Sequence, residues 1–287
     1  MRKVLIIAGP TASGKTGYAV ERAKSVDGEV INCDSLQIYD SLKILTAVPK
    51  NKDLDGVVHK LFCYLTYNRK SSVVDWAHLA SVEIEKTISS GKVPIIVGGT
   101  GLYINVLVNG ISPMPEISNN IRANVLGMNY GEVCDALYKQ DPRLKSVITS
   151  DKHHQVIRAY EIFLETGMSI LDFRNMPKKT FMDNVTYEYE IMKYDRQELY
   201  ERINGRFDEM LKNGAINEVE NLLHQINNPN RQEIFATYPI FNAIGAKEIV
   251  MYIDGMYSAS EMIEKSKINS RRYAKRQITW LANQKIC

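Results

Sequence analysis

Val4-Leu5-Ile6-Ile7-Ala8, followed at once by Gly9-Pro10-Thr11-Ala12-Ser13-Gly14-Lys15-Thr16, decides how the rest of the chain is read. The five apolar residues have the pattern of a buried parallel strand. The eight after them match the GxxxxGK[ST] phosphate loop at every fixed position. Ala19, Val20, Ala23 and Val26 then recur at helical spacing within Lys15–Val26, so the loop lies between a strand and a helix, as the motif requires. Such a turn aims successive backbone N–H groups and a helix N-terminus at one point, which makes an anion site. Lys15 adds a mobile positive charge, and the Thr16 hydroxyl suits a Mg²⁺ that bridges phosphates. The motif specifies a polyphosphate or pyrophosphate, ATP included, without saying which.

Outward from the loop, residues 30–33 read as a second strand that ends at Asp34. Residues 76–89 carry an apolar helical stripe stopped by Gly91. Residues 93–97 are a third apolar strand ending in Gly98-Gly99-Thr100-Gly101, with a helix expected over 102–108. Strand, helix, strand, helix, strand in this order is a parallel sheet with crossover helices. A nucleoside triphosphatase normally holds Mg²⁺ through an aspartate at the end of a further strand, and the third strand offers none. Asp34 is the one strand-end acid. From the residues alone it can be a magnesium ligand, a general base or a structural cap.

The composition shifts at Gly110-Ile111-Ser112-Pro113-Met114-Pro115, a natural boundary. From 116 to about 180 the patterns are helical, and 156–166 ends at Gly167, a C′ glycine. Alternation over 186–194 suggests that the sheet resumes. Helices follow at Arg196–Lys212 and Ala215–Ile226, then a loop over 227–239 and two closing helices. The expected fold is α/β: a P-loop parallel sheet core with crossover helices, interrupted by a small all-helical insertion domain. Residues 1–113 and 183–287 form the core and 114–182 the insertion.

The 287 residues are 45% hydrophobic and 24% charged, an ordinary globular balance. The apolar run near the N-terminus is too short for a signal peptide, and no stretch approaches the length of a membrane span. Cys33, Cys63, Cys134 and Cys287 form no CxxC pair, so reduced thiols in a cytoplasmic protein are expected. His153-His154 has no further ligand at i+4 and does not suggest a metal. The net charge of +3 is uneven: residues 261–287 hold seven Lys and Arg, Lys285 among them, against two Glu. That leaves a weakly acidic body and one basic terminal segment suited to an RNA backbone.

Four blocks carry a resemblance. They are the phosphate loop, Asp34-Ser35-Leu36-Gln37-Ile38-Tyr39, Val97-Gly98-Gly99-Thr100-Gly101-Leu102-Tyr103 and Ala274-Lys275-Arg276-Gln277-Ile278-Thr279-Trp280-Leu281. In this order, across residues 9 to 281, they resemble the bacterial tRNA dimethylallyltransferases. The resemblance implies transfer of a dimethylallyl group from dimethylallyl diphosphate to N6 of adenosine 37, beside the anticodon, in tRNAs reading codons that begin with U. It implies Asp34, Thr100 and Arg122 as catalytic residues. Diphosphate would be held by Gly9, Pro10, Thr11, Ala12, Ser13, Gly14, Lys15, Thr16 and Arg206. The tRNA anticodon stem-loop would meet Asp34, Ser35, Leu36, Gln37, Arg158, Lys247, Arg276 and Gln277, with Arg202 a further diphosphate or RNA candidate. Mg²⁺ on Thr16, a monomeric state and a cytoplasmic location go with it, with no membrane involved. The chain departs from the family pattern at His154-Gln155, at Ala246 in Gly245-Ala246-Lys247-Glu248, and at Val48 in Thr46-Ala47-Val48-Pro49, which alters expected tRNA contacts. A small-molecule P-loop kinase or NTPase is the runner-up, with an adenylate prenyltransferase acting on a free nucleotide behind it. A catalytically silent RNA-binding module fits less well, since Lys15 and Asp34 are both present.

Overall fold

The computed structural model describes residues 2–283; Met1, Lys285 and Cys287 lie outside the described residues. Five parallel strands form one sheet in the order β3-β2-β4-β1-β5. They are β1 (Arg2–Ala8), β2 (Gly28–Asn32), β3 (His59–Lys60), β4 (Val93–Gly98) and β5 (Val185–Ile191). β1 sits between β4 and β5, with Leu5 opposite Ile95 on one side and Glu188 on the other. Central position explains its unbroken apolar run, because a parallel strand covered on both faces has no solvent side to mark with polar residues. β5 is an edge strand, and its alternation reflects one wetter face.

Two compact units emerge: Asn109–Thr180 forms one, and the described chain on either side of it forms the other. In the sheet-bearing unit the helices before the insertion are α1 (Lys15–Val26), α2 (Asn51–Leu54), α3 (Val73–Ser89) and α4 (Gly101–Asn109). α1 and α3 both pack on β2 and β4. Leu5, Ile7, Val30, Ile95 and Val97 meet Ala19 and Ala23 of α1. α3 is opened by a capping box between Ser72 and Asp75, and its Trp76 indole donates to Asn32 O at 2.9 Å, pinning the helix to the end of β2.

The second unit holds α5 (Asn119–Gly127), α6 (Tyr130–Gln140), α7 (His153–Thr166) and α8 (Ile170–Asn175), with a 3₁₀ turn at Pro142–Ser146. Leu137, Leu144, Ile148, Val156 and Ile162 fill its own core. Its two ends are tied by an antiparallel bridge between Ile111 and Lys179, with bonds of 3.1 and 2.9 Å. Gly110 is required there: its φ is +71°, and a Cβ would lie 2.5 Å from Lys179 O. The unit therefore begins at Asn109 and ends at Thr180, where the sequence boundaries stand at 114 and 182.

After the insertion come α9 (Arg196–Lys212), α10 (Ala215–Ile226), α11 (Arg231–Thr237), α12 (Ala246–Ile253) and α13 (Ala259–Ala282). The loop expected over 227–239 is corrected here. Asn230 accepts from Glu233 N at 3.2 Å and nucleates α11, and Pro239–Asn242 adds a 3₁₀ turn. Among the described residues no helix is long and apolar enough to cross a membrane.

Candidate active site

The site is built where the C-terminal ends of β1, β2 and β4 meet two helices from the far end of the chain. β1 delivers the phosphate loop. Ala12 and Gly14 adopt left-handed backbone, with φ of +61° and +87°, and Gly14 stands at the N-cap of α1 with no side-chain cap. The amides opening α1 are thus left without a capping side chain, the arrangement that favours an incoming anion. Ser13 is 4% exposed and its Oγ has no hydrogen-bond partner, an orphan that a bound phosphate oxygen would satisfy. The Lys15 ammonium donates to Pro10 O at 2.6 Å. Burial pulls its pKa down to about 8, Asp34 opposes that pull, and Arg206 adds to it.

β2 delivers Asp34. Asn32 fixes the bend beyond the strand: its Oδ1 accepts from Asp34 N at 2.9 Å, and its Nδ2 donates to Asp34 O and Leu61 O. The Asp34 carboxylate accepts from Leu36 N at 2.9 Å, so its orientation is set by backbone.

β4 delivers Gly98-Gly99-Thr100-Gly101, and close approach explains these glycines. A Cβ on Gly98 would lie 2.1 Å from Cys33 O. One on Gly99 would lie 2.2 Å from Gln277 Nε2, and one on Gly101 2.2 Å from the Trp280 ring. Thr100 Oγ1 accepts from Ser35 N at 3.3 Å.

α9 contributes Arg206, whose guanidinium donates to the Thr11 hydroxyl at 3.3 Å. α13 contributes Tyr273, Gln277 and Trp280, which stand at i, i+4 and i+7 on one face. Burial, with Asp34 nearby, raises the Tyr273 phenol to about 12, so it stays neutral and can donate.

Two cavities share these groups. The larger, about 380 Å³, has a polar side of Thr11, Asp34, Ser35, Arg206, Tyr273 and Arg276. Its apolar side includes Leu45, Ile203, Phe207, Met210 and Ile244. The smaller, about 80 Å³, is lined by Lys15, Thr16, Asp34, Gln37, His59 and Gln277 among others. No cluster of three or more His, Cys, Asp or Glu able to hold a metal occurs among the described residues. Mg²⁺ fits this donor set nonetheless: it keeps several waters and takes substrate phosphate oxygens, so the Thr16 hydroxyl beside an anion loop suffices.

The structure thus brings the phosphate loop, Asp34, Thr100 and Arg206 together. Ser35 and Leu36 line the larger cavity. Gln37 is turned to backbone, donating to Thr46 O and Ala47 O at 3.0 Å each. Arg276 is exposed at the cavity rim, its guanidinium 5.5 Å from the centre of the Tyr273 ring. Lys247, exposed on α12, lies 5.3 Å from the Phe235 ring centre, and Arg202 pairs with Glu198 at 3.3 Å. Arg122 and Arg158 belong to the other unit: Arg122 is exposed on α5, and Arg158 on α7 donates to Pro115 O at 2.9 Å. Gln277, expected as an RNA contact, is turned toward the protein interior. It is 6% exposed, its Oε1 accepts from Thr11 N and its Nε2 donates to Gly99 O. Tyr273 escapes the sequence reading altogether, although its spacing from Gln277 and Trp280 marks it.

Residues 37–284 match the family model described as IPP transferase. The chain is 37% identical over 284 residues, 98% of its length and 93% of the relative's, to the tRNA dimethylallyltransferase of Rhizobium johnstonii. It superposes with a TM-score of 0.69 on the crystal structure of the tRNA isopentenylpyrophosphate transferase from Bacillus halodurans, at 34% identity, covering 100% of this chain and 88% of that one. A eukaryotic dimethylallyltransferase captured acting on tRNA gives a TM-score of 0.83 at 25% identity, covering 98% of this chain and 70% of that one.

Proposed function

The chain belongs to the IPP transferase family, and on that premise we propose that it transfers the dimethylallyl group of dimethylallyl diphosphate to N6 of adenosine 37 in the anticodon stem-loop of tRNA. One observation carries this reading: Asp34 and the phosphate loop open onto the same cavity, and that cavity has an apolar wall. The wall suits an apolar five-carbon group, and β4 gives a kinase or NTPase no carboxylate for Mg²⁺.

The diphosphate sits on the amides of the loop and α1, with Lys15 and Arg206 neutralising it. These cations act where charge develops, since the C1–O bond breaks and the diphosphate leaves with its electron pair. Mg²⁺, held through Thr16, supplies further charge neutralisation of the diphosphate. The five-carbon chain lies against Leu45, Ile203 and Phe207, where water is excluded. The adenine leaves its stack to enter the cavity. Asp34 orients N6 and accepts its proton as the N6–C1 bond forms, and Thr100, which accepts from Ser35 N, stands beside it. Arg122 and Arg158, from the insertion unit, and the exposed Arg276 and Lys247 engage the substrate or RNA backbone. The enzyme works as a cytoplasmic monomer.

The test is incorporation of labelled dimethylallyl into a stem-loop with adenines on the 3′ side of the anticodon. Product forms with RNA, and Asp34→Ala abolishes turnover while retaining diphosphate binding. Incorporation into AMP but not RNA indicates the nucleotide prenyltransferase. ATP hydrolysis with no prenyl acceptor indicates the kinase class.

A further inference from the structure

Gln277 lies in the basic C-terminal block, among Lys275 and Arg276, yet it differs from both. They are exposed, whereas Gln277 is 6% exposed. Its Oε1 accepts from Thr11 N at 2.8 Å and its Nε2 donates to Gly99 O at 3.0 Å. The approach is so tight that Gly99 has no room for a Cβ. One carboxamide therefore joins the phosphate loop to the turn that carries Thr100. Only a side chain with an acceptor and a donor at this reach can serve both partners. On the same face Trp280 presses against Gly101, where a Cβ would lie 2.2 Å from its ring.

We propose that Gln277 is a positioning residue: it holds the phosphate loop and the Thr100 turn at a fixed separation and makes no contact with RNA. Thr11 N–H is spent on this strut and is withdrawn from the anion, so the front of the loop is braced from behind. Its weight in turnover depends on the reaction proposed above, in which the leaving diphosphate lies on the loop and the acceptor adenine beside Asp34 and Thr100. A slip of roughly 1 Å between the two sides costs on the order of a hundredfold in rate.

The test uses the full chain with Gln277→Met, Gln277→Asn and Gly99→Ala. Gln277→Met lowers kcat by about a hundredfold, and leaves the dissociation constant of the anticodon stem-loop within about twofold. Gln277→Asn, one methylene short, keeps the polar group and the fold and still loses rate. Gly99→Ala displaces the amide, so Gln277→Met combined with it is no worse than the poorer single variant. Hydrogen exchange gives a readout that needs no turnover: the Thr11 amide is protected in the wild type and exchanges faster in Gln277→Met. Stem-loop binding weakened tenfold at unchanged kcat, additive losses in the double variant, or an unaltered Thr11 amide overturns the proposal. Should Asp34→Ala retain full turnover while the Thr11 amide responds as expected, the proposed reaction fails and the strut stands.

Discussion

Arg206→Met separates what the site costs the empty protein from what it does for the ligand. Arg206 borders both cavities, and its pKa is held below the usual arginine value by burial, with Asp34 partly compensating. It also lowers the pKa of Lys15, so two cations share a half-buried site with one carboxylate. Removing the guanidinium loses one long charge-assisted bond to the Thr11 hydroxyl, at the low end of about 1.5–3 kcal/mol. It also relieves the desolvation and like-charge repulsion, which are of at least that size. The empty variant is therefore expected within about 1 kcal/mol of the wild type, or more stable. Diphosphate binding moves the other way. A charge-assisted hydrogen bond contributes about 1.5–3 kcal/mol, so the dissociation constant should rise roughly 10- to 150-fold. Titration calorimetry with inorganic diphosphate, beside thermal unfolding without ligand, measures both. Diphosphate affinity within about threefold of wild type, or an empty variant destabilised by more than about 2 kcal/mol, would refute the charge argument.

The insertion unit offers a pH test at Asp141, whose carboxyl accepts from Arg143 Nε at 2.8 Å and from its terminal nitrogen at 2.9 Å. The pair holds this carboxyl at about 2, below its ordinary 3.8. Its stabilisation is thus fully present above pH 3.8 and is lost as the pH falls through 2. Asp141→Asn should destabilise the unit at pH 7 and become nearly silent at pH 2. Both tryptophans, Trp76 and Trp280, lie outside this unit, so amide exchange at Leu137 and Ile162 is the measurement. Gly101→Ala places a Cβ 2.2 Å from the Trp280 ring and should cost about 1–3 kcal/mol. A shift in indole emission accompanies that loss, and an unchanged unfolding midpoint contradicts it. Exposed Lys275→Gln should lower the slope of log affinity for the stem-loop against log salt by about 1 while sparing kcat.

Local pattern made some elements readable to the residue. α1, α9 and α10 match their expected spans, because each carries its own apolar stripe and each ends at Asp27, Asn213 or Asn227. β3 was not readable: its two residues are a strand only because Val30 and Ile31 lie beside them. α11 was hidden by Asn228-Pro229-Asn230, in which a helix cap looks like a loop. At the site, the loop and Asp34 declare themselves by motif and by strand end. The roles of Gln277 and Tyr273 depend on how α13 meets two turns far away in sequence, and the clue was indirect: the glycines at 98, 99 and 101 are the vacancies into which other groups press.

The Thr11–Gln277 bond spans 266 positions of the chain and the Gln277–Gly99 bond 178. β1 leaves the ribosome well before α13. A polypeptide that stops short of Gln277 can pair β1 with β4 and β5 and carry an intact phosphate-loop sequence, yet leave that loop unbraced. Closing contacts of such separation is slow, so the capacity for chemistry should arrive as a late, discrete event in folding, after the sheet has formed.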